Sequence, residues 1–143
     1  LKMNYVPQVI NLSDASINEN IAYGLSKDKI NPDLVKTCAK LALIDDFINS
    51  LEDKYDHIIG EKGIKISGGQ RQRIGIARAL YRDADIIVLD EATNSLDKNT
   101  EKKLLTSITK KFKKLTIIAV THRLSTLDFF DKIIKLQDGK IVT

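Results

Sequence analysis

Two carboxylates, Asp90 and Glu91, stand directly behind the apolar run Ile86-Ile87-Val88-Leu89. A short continuous run of that kind reads as a strand buried on both faces of a parallel sheet, and the C-terminal ends of such strands are where α/β folds place their ligand crevice. Acids in that position suit metal-assisted hydrolysis: one holds Mg2+ through oxygen or water ligands while its neighbour takes a proton from an attacking water. Taken alone, an Asp-Glu pair at a strand end is more often just an exposed turn. Upstream lies Ser67-Gly68-Gly69-Gln70-Arg71-Gln72-Arg73. Two glycines at the head of a helix let backbone N–H groups approach an anion closely, and the helix dipole adds partial positive charge, so phosphate is the natural guest. By itself this segment fits an ordinary turn and cap equally well.

The rest of the chain predicts the elements that must position these groups. Residues 1–6 alternate like a strand that Pro7 ends, so the chain opens inside a sheet and a segment upstream is expected. From Ile17 to about Ile48 the text is helical, broken at Gly24; Asn31 and Pro32 make a cap and first-turn pair, and Leu34, Cys38, Leu41 and Ile44 mark one apolar face. After a polar stretch from Glu52 to Ile66, Ser67 caps a helix running to about Tyr81, with Gln70 placed to complete a capping box. A strand over 85–90 follows, then a helix from about Asp97 with Leu104, Leu105, Ile108 and Phe112 facing inward. Leu115 to Val120 reads as another strand, Ser125 as the cap of a brief helix, and Lys132–Leu136 as pairing with Lys140–Thr143 across Asp138-Gly139. Helices first, then strand alternating with helix, imply an α/β core with a helical insertion.

Composition narrows the function classes. The 143 residues are 43% hydrophobic and 29% charged, which argues for one globular unit rather than disorder. The net charge of +4 comes from lysines spread among acids, so nucleic acid is not an expected partner. Lys110, Lys111, Lys113 and Lys114 around Phe112 read as a solvated helix end, with a lipid- or polyanion-binding patch the less favoured alternative. Cys38 is the only cysteine, which excludes an intramolecular disulfide and suggests a reducing compartment. No apolar run is long enough to cross a bilayer, so membrane attachment is expected to come from a partner.

Together these segments resemble the ABC ATPase family over essentially the whole chain. Gln8 in Tyr5-Val6-Pro7-Gln8 resembles the Q-loop, Ser67 to Gln70 the signature motif, and Asp90 with Glu91 the Walker B pair; Ser95-Leu96-Asp97 resembles the D-loop and His122 in Thr121-His122-Arg123 the switch histidine, all in family order. The resemblance implies a partial P-loop NTPase (RecA-like) core of parallel strands, formed by residues 1–8 and 82–143, with the ABC-type helical subdomain over about 9–81. It implies ATP and Mg2+ as cofactors. Asp90 and Gln8 would serve the metal, Glu91 would act as general base, and His122 and Gln8 would contact the γ-phosphate side and the attacking water. Ser67, Gly68, Gly69 and Gln70 would face a nucleotide held by a second ABC ATPase domain, identical or different, and Asp97 would connect the two sites across that interface. His57 to Gly63 resembles the X-loop of exporter-type domains, which touches a transmembrane domain, and this places the chain at the cytoplasmic face of a membrane. His57, Ile59 and Ile66 depart from the family's usual Thr, Val and Leu.

The chain contains no Gly-x-x-x-x-Gly-Lys-Ser/Thr segment. That loop cradles phosphates with backbone N–H groups and a lysine, and its hydroxyl residue ligates Mg2+. In the family it precedes the Q-loop, as does the aromatic residue that stacks on adenine, so both are expected before Leu1, and the isolated chain is expected to have negligible ATPase activity. The leading expectation is the ATPase portion of an exporter or flippase. A soluble ABC ATPase of DNA repair or translation, and a non-catalytic interaction module, are the alternatives. The charge balance and X-loop resemblance disfavour the first, and the intact Glu91, His122 and Ser67–Gln70 disfavour the second.

Overall fold

The computed structural model describes residues 1–61 and 65–142. In chain order the elements are β1 (Met3–Val6), β2 (Ala15–Ser16), α1 (Ile17–Ile21), α2 (Pro32–Leu41), α3 (Asp45–Ser50), β3 (Ile58–Ile59), α4 (Gly68–Tyr81), β4 (Ile86–Asp90), α5 (Lys98–Lys111), β5 (Thr116–Val120), α6 (Leu124–Leu127), β6 (Lys135–Gln137) and β7 (Lys140–Val142). The mixed α/β class expected from the sequence is the one observed.

Three strands form a parallel sheet in the order β1-β4-β5, with Val6 opposite Leu89 and Asp90 opposite Val120. Parallel neighbours need long crossovers. Here α1–α4 lie between β1 and β4, and α5 lies between β4 and β5. The shared direction brings the residues after β1, β4 and β5 to one edge of the sheet. Val6, Ile87 and Leu89 point into the core, whereas Tyr5, Ile118 and Val120 on the other face are about half exposed. The expectation of a strand buried on both faces is therefore corrected: β4 alternates, with Ile86 and Val88 only partly covered.

The helices follow local chemistry. Ser16 and Glu19 form a capping box on α1, and the Asn31 side chain accepts from the Asp33 and Leu34 amides with Pro32 in the first turn of α2. Gly24 takes φ +88°, the left-handed break that glycine adopts without penalty. The buried stripe of α2 is Val35, Cys38 and Ala39, continuing to Ala42; Leu34 is 39% exposed, against the expectation that it faces inward. Adjacent apolar residues on a helix lie 100° apart, and pattern alone does not choose between Leu34 and Val35.

α4 packs against α1, α2 and β1. Gly75 is where it crosses Ile10: a Cβ added there would lie 2.4 Å from Ile10 Cδ1 and 2.7 Å from Cγ1. Arg78 stacks over the Tyr23 ring at 4.8 Å and donates to the Asn20 carbonyl at 2.8 Å, while Arg73 donates to the Leu43 carbonyl at 2.6 Å. Burial pulls both guanidinium pKa values down, and these carbonyl bonds serve in place of water.

Toward the C-terminus, β6 and β7 form the expected hairpin, with Asp138 at φ 50° and Gly139 at φ 74°, both central residues left-handed as in a type I′ turn. Thr143 lies outside the described residues. Helix α6 begins at Leu124, with Arg123 in the cap position and no side-chain cap, so Ser125 falls inside the helix rather than capping it.

Candidate functional site

The sheet edge gathers four of the residues singled out from sequence. Gln8 follows β1 through Pro7, Asp90 ends β4 with Glu91 directly after it, and His122 follows β5. The Gln8 amide nitrogen donates to Glu91 Oε2 at 3.0 Å, and the Asn94 amide nitrogen donates to the same oxygen at 2.8 Å. His122 Nδ1 stands 3.5 Å from the other oxygen, Oε1. The Glu91 side chain is 29% exposed and that of His122 is 72% exposed, so the carboxylate is recessed while the imidazole remains open to an incoming group.

Glu91 itself sits at φ 49°, in the left-handed region that costs a non-glycine residue about 1–2 kcal/mol. Its amide donates to the Val120 carbonyl of β5 at 3.0 Å, which holds the turn in place. A strained residue kept by its surroundings at the end of a half-buried strand is a pointer to function. Beside it, Asp90 Oδ2 accepts from the Tyr5 hydroxyl at 2.5 Å. That bond, with lesser help from desolvation and the Asp90 charge, raises the tyrosine pKa and keeps it a donor.

The donor set fits Mg2+ in one way only. Among the described residues no group of three or more His, Cys, Asp and Glu could hold a metal by itself. Mg2+ commonly takes one or two carboxylates and completes its shell with water and phosphate oxygens. Asp90 would supply such a carboxylate, and Gln8, whose nitrogen faces Glu91, would have its amide oxygen to offer.

Ser67 to Gln70 form a second cluster. The Ser67 hydroxyl accepts from the Gln70 amide at 3.1 Å and the Gln70 side chain accepts from the Ser67 amide at 2.8 Å, the expected capping box at the start of α4. Ser67 is exposed. The glycines allow a close approach to the segment after Glu91: a Cβ on Gly69 would lie 3.4 Å from both Leu96 Cδ2 and the Ser95 carbonyl, and one on Gly68 3.7 Å from Ser95 Cβ. Ser95 then donates its hydroxyl to the Gln72 amide oxygen at 2.5 Å and its N–H to the same atom at 3.2 Å. The head of α4 and the loop leaving β4 are thus one packed body.

Asp97 faces its own helix. Its carboxylate accepts from the Asn99 and Thr100 amides, each at 3.0 Å, and from the Thr100 hydroxyl at 2.6 Å. The Thr100 hydroxyl, then the backbone bonds, hold its pKa below the usual carboxylate range. Of the segment from His57 to Gly63, Ile58 and Ile59 form β3 against β2, while Lys62 and Gly63 lie outside the described residues. Sequence reading missed Tyr5, Asn94, Gln72 and Ser95 as partners. Asn94 and Ser95 carried a usable signal, since both lie between Glu91 and Asp97 in one short turn-forming segment.

Comparison with known proteins bears on the family and the fold. A family model described as ABC transporter matches residues 2–94. The ATP-dependent lipid A-core flippase of Legionella pneumophila subsp. pneumophila is 44% identical over 141 residues, covering 99% of this chain and 24% of the flippase. That of Alkalilimnicola ehrlichii is 43% identical with the same coverage, and that of Pectobacterium atrosepticum 42% identical over 96% of this chain and 23% of its own length. A solved structure of a bacterial Atm1-family ABC exporter with ATP bound superposes with a TM-score of 0.90 at 39% identity, over 99% of this chain and 24% of the exporter. The chain spans about a quarter of the length of these relatives. With the family match running through β1, α4, β4 and the turn that follows Glu91, this chain belongs to the ABC transporter family.

Proposed function

We propose that this chain is the part of an ATP-driven exporter or flippase that supplies the acid–base residues of one nucleotide site and a phosphate-reading helix end to another. The observation that carries the proposal is the convergence of Gln8, Asn94 and His122 on Glu91 at the C-terminal edge of the parallel sheet. In this reading residues 1–8 and 82–143 belong to the nucleotide-binding core and about 9–81 to a helical subdomain ending in α4.

The chemistry joins this geometry to the roles that the family resemblance implies. Gln8 and Asn94 hold Glu91 Oε2, which fixes the plane of the carboxylate and leaves Oε1 toward His122 and solvent. Glu91 takes a proton from the water whose oxygen bonds to the terminal phosphorus of ATP as the bond to the departing ADP breaks, and His122 donates a hydrogen bond to that phosphate. Asp90 and Gln8 would hold Mg2+, which would neutralise phosphate charge. Ser67, Gly68, Gly69 and Gln70 present the start of α4 to the ATP of a second ABC ATPase domain, and Asp97 orders the loop beside that contact. Nucleotide then joins two domains, and hydrolysis removes what held them closed. The flippase relatives and the exporter fold support a membrane-embedded partner domain, a position at the cytoplasmic face, and an amphiphilic cargo such as a lipid.

The phosphate-cradling loop is absent from this sequence, so the test supplies it. Residues 1–143 replace the aligned segment of the Legionella flippase, and the chimera is reconstituted in lipid vesicles. ATP turnover stimulated by lipid A-type glycolipid is expected from the chimera, with none from the isolated chain. A chimera that assembles but neither hydrolyses ATP nor responds to lipid contradicts the reading.

A further inference from the structure

Glu101, in the first turns of α5, is the one charged side chain among the described residues that is almost wholly buried, at 2% exposure. A carboxylate removed from water is costly unless ionic and hydrogen-bonding partners replace the lost hydration. Its partners come from two separate stretches of backbone. The Thr93 hydroxyl donates to Oε1 at 2.5 Å; the Thr126 hydroxyl donates to Oε2 at 3.0 Å, and Arg123 Nη1 lies 3.5 Å from Oε2. The same Arg123 nitrogen donates to the Leu96 carbonyl at 2.9 Å and the Thr93 carbonyl at 3.3 Å.

Capping does not explain a glutamate here, because Asp97 already caps α5. Filling space does not explain it either, since an apolar side chain would fill the volume without a buried charge. What Glu101 joins is informative. Thr93 precedes Asn94, which donates to Glu91 Oε2, and Arg123 follows His122, which stands against Glu91 Oε1. Two of the three partners of Glu91, one at each oxygen, are carried by the two segments that Glu101 ties together, while the third, Gln8, follows β1.

We propose that Glu101 is a positioning residue for the hydrolytic site: through Thr93, Arg123 and Thr126 it sets where Asn94 and His122 meet Glu91. The proposal rests on the ATPase reading above. It makes the turn after β4 and the loop after β5 one rigid unit, so a shift of either moves two of the three partners of the general base, Asn94 and His122.

Two measurements test it together. On the full 143-residue chain, Glu101→Gln keeps shape and hydroxyl partners while removing the charge that Arg123 meets. Glu91→Gln displaces the His122 ring resonances in NMR spectra, and with Glu101→Gln present that displacement falls by more than half. In the flippase chimera, Glu101→Gln and Glu101→Ala lower kcat about 10- to 100-fold with the KM for ATP within about twofold, the signature of misplaced groups rather than lost substrate binding. That loss shrinks by more than half in a His122→Ala background, because one of the two groups being positioned is then gone. Should Glu101→Ala fail to fold, Glu101→Gln and Thr126→Val carry the same comparison. Unchanged kcat in the folded variants, losses that multiply in full with His122→Ala, or an undiminished His122 response would each overturn the proposal. No Glu91-dependent turnover in the native chimera would overturn the hydrolytic reading instead, with the NMR comparison still deciding whether Glu101 sets the Glu91–His122 geometry.

Discussion

The Ser95 hydroxyl and the Gln72 amide oxygen meet at 2.5 Å, joining the helix that begins at Gly68 to the loop that leaves Glu91. Gln72 is buried and its oxygen also takes the Ser95 N–H, so one amide satisfies two donors. Gln72→Ala leaves both without that acceptor and is expected to cost about 1–3 kcal/mol. Ser95→Ala removes only one bond and should cost about 0.5–1.5 kcal/mol. Urea unfolding of the two variants checks the order; an equal or reversed order would show that this contact does not hold the loop.

Gly75→Ala tests the crossing of α4 over Ile10. The new methyl would sit far inside van der Waals contact of Ile10 Cδ1 and Cγ1. Alanine favours a helix over glycine by roughly 1 kcal/mol, whereas overpacking a filled core costs about 1–3 kcal/mol. A net loss in melting temperature is expected, partly restored by Ile10→Ala. A stabilised Gly75→Ala protein would contradict the close approach.

Cys38 gives a pH-dependent prediction. Burial pushes its thiol up to about 11. Free thiols titrate near 8.5, so from about pH 8.5 upward the unfolded chain loses this proton while the folded chain keeps it. The folded pKa is the higher one, so the contribution to stability is complete below about pH 8.5 and is lost as pH rises toward 11. The stability gap between the native chain and Cys38→Ala should narrow by roughly 1–2 kcal/mol between pH 8 and 10 in chemical denaturation. A constant gap contradicts a buried neutral thiol, as does fast labelling of Cys38 at neutral pH without unfolding.

Local chemistry made part of this structure readable in advance. The Ser67–Gln70 capping box and the Asn31–Pro32 start of α2 each lie within a few residues, and side chains that close on their own backbone leave their mark in short spacing. The contact of Gln8 with Glu91 spans 83 residues and was foreseeable only because motif order identified the sheet. The inward position on α2 falls one residue from Leu34, at Val35, since a helical pattern fixes a face more loosely than it fixes a helix, and the cap of α6 falls two residues before Ser125, at Arg123. The pairing of Ala15 with Ile59 had no signal, as a two-residue strand has no period. Glu101 was invisible for a different reason: in sequence it reads as one more charge on a lysine-rich helix, and only the packing of Thr93, Arg123 and Thr126 around it reveals a buried carboxylate.

In the proposed function Glu91 is the base, which two amides orient and a histidine faces. Its most direct test is single-turnover hydrolysis by the flippase chimera carrying Glu91→Gln, measured beside ATP retention in the closed dimer. The substitution keeps shape and hydrogen bonding but cannot take a proton, so the hydrolysis rate should fall at least about 100-fold while ATP remains bound. Hydrolysis at the native rate, with Glu91→Gln verified in the purified protein, would contradict the assignment.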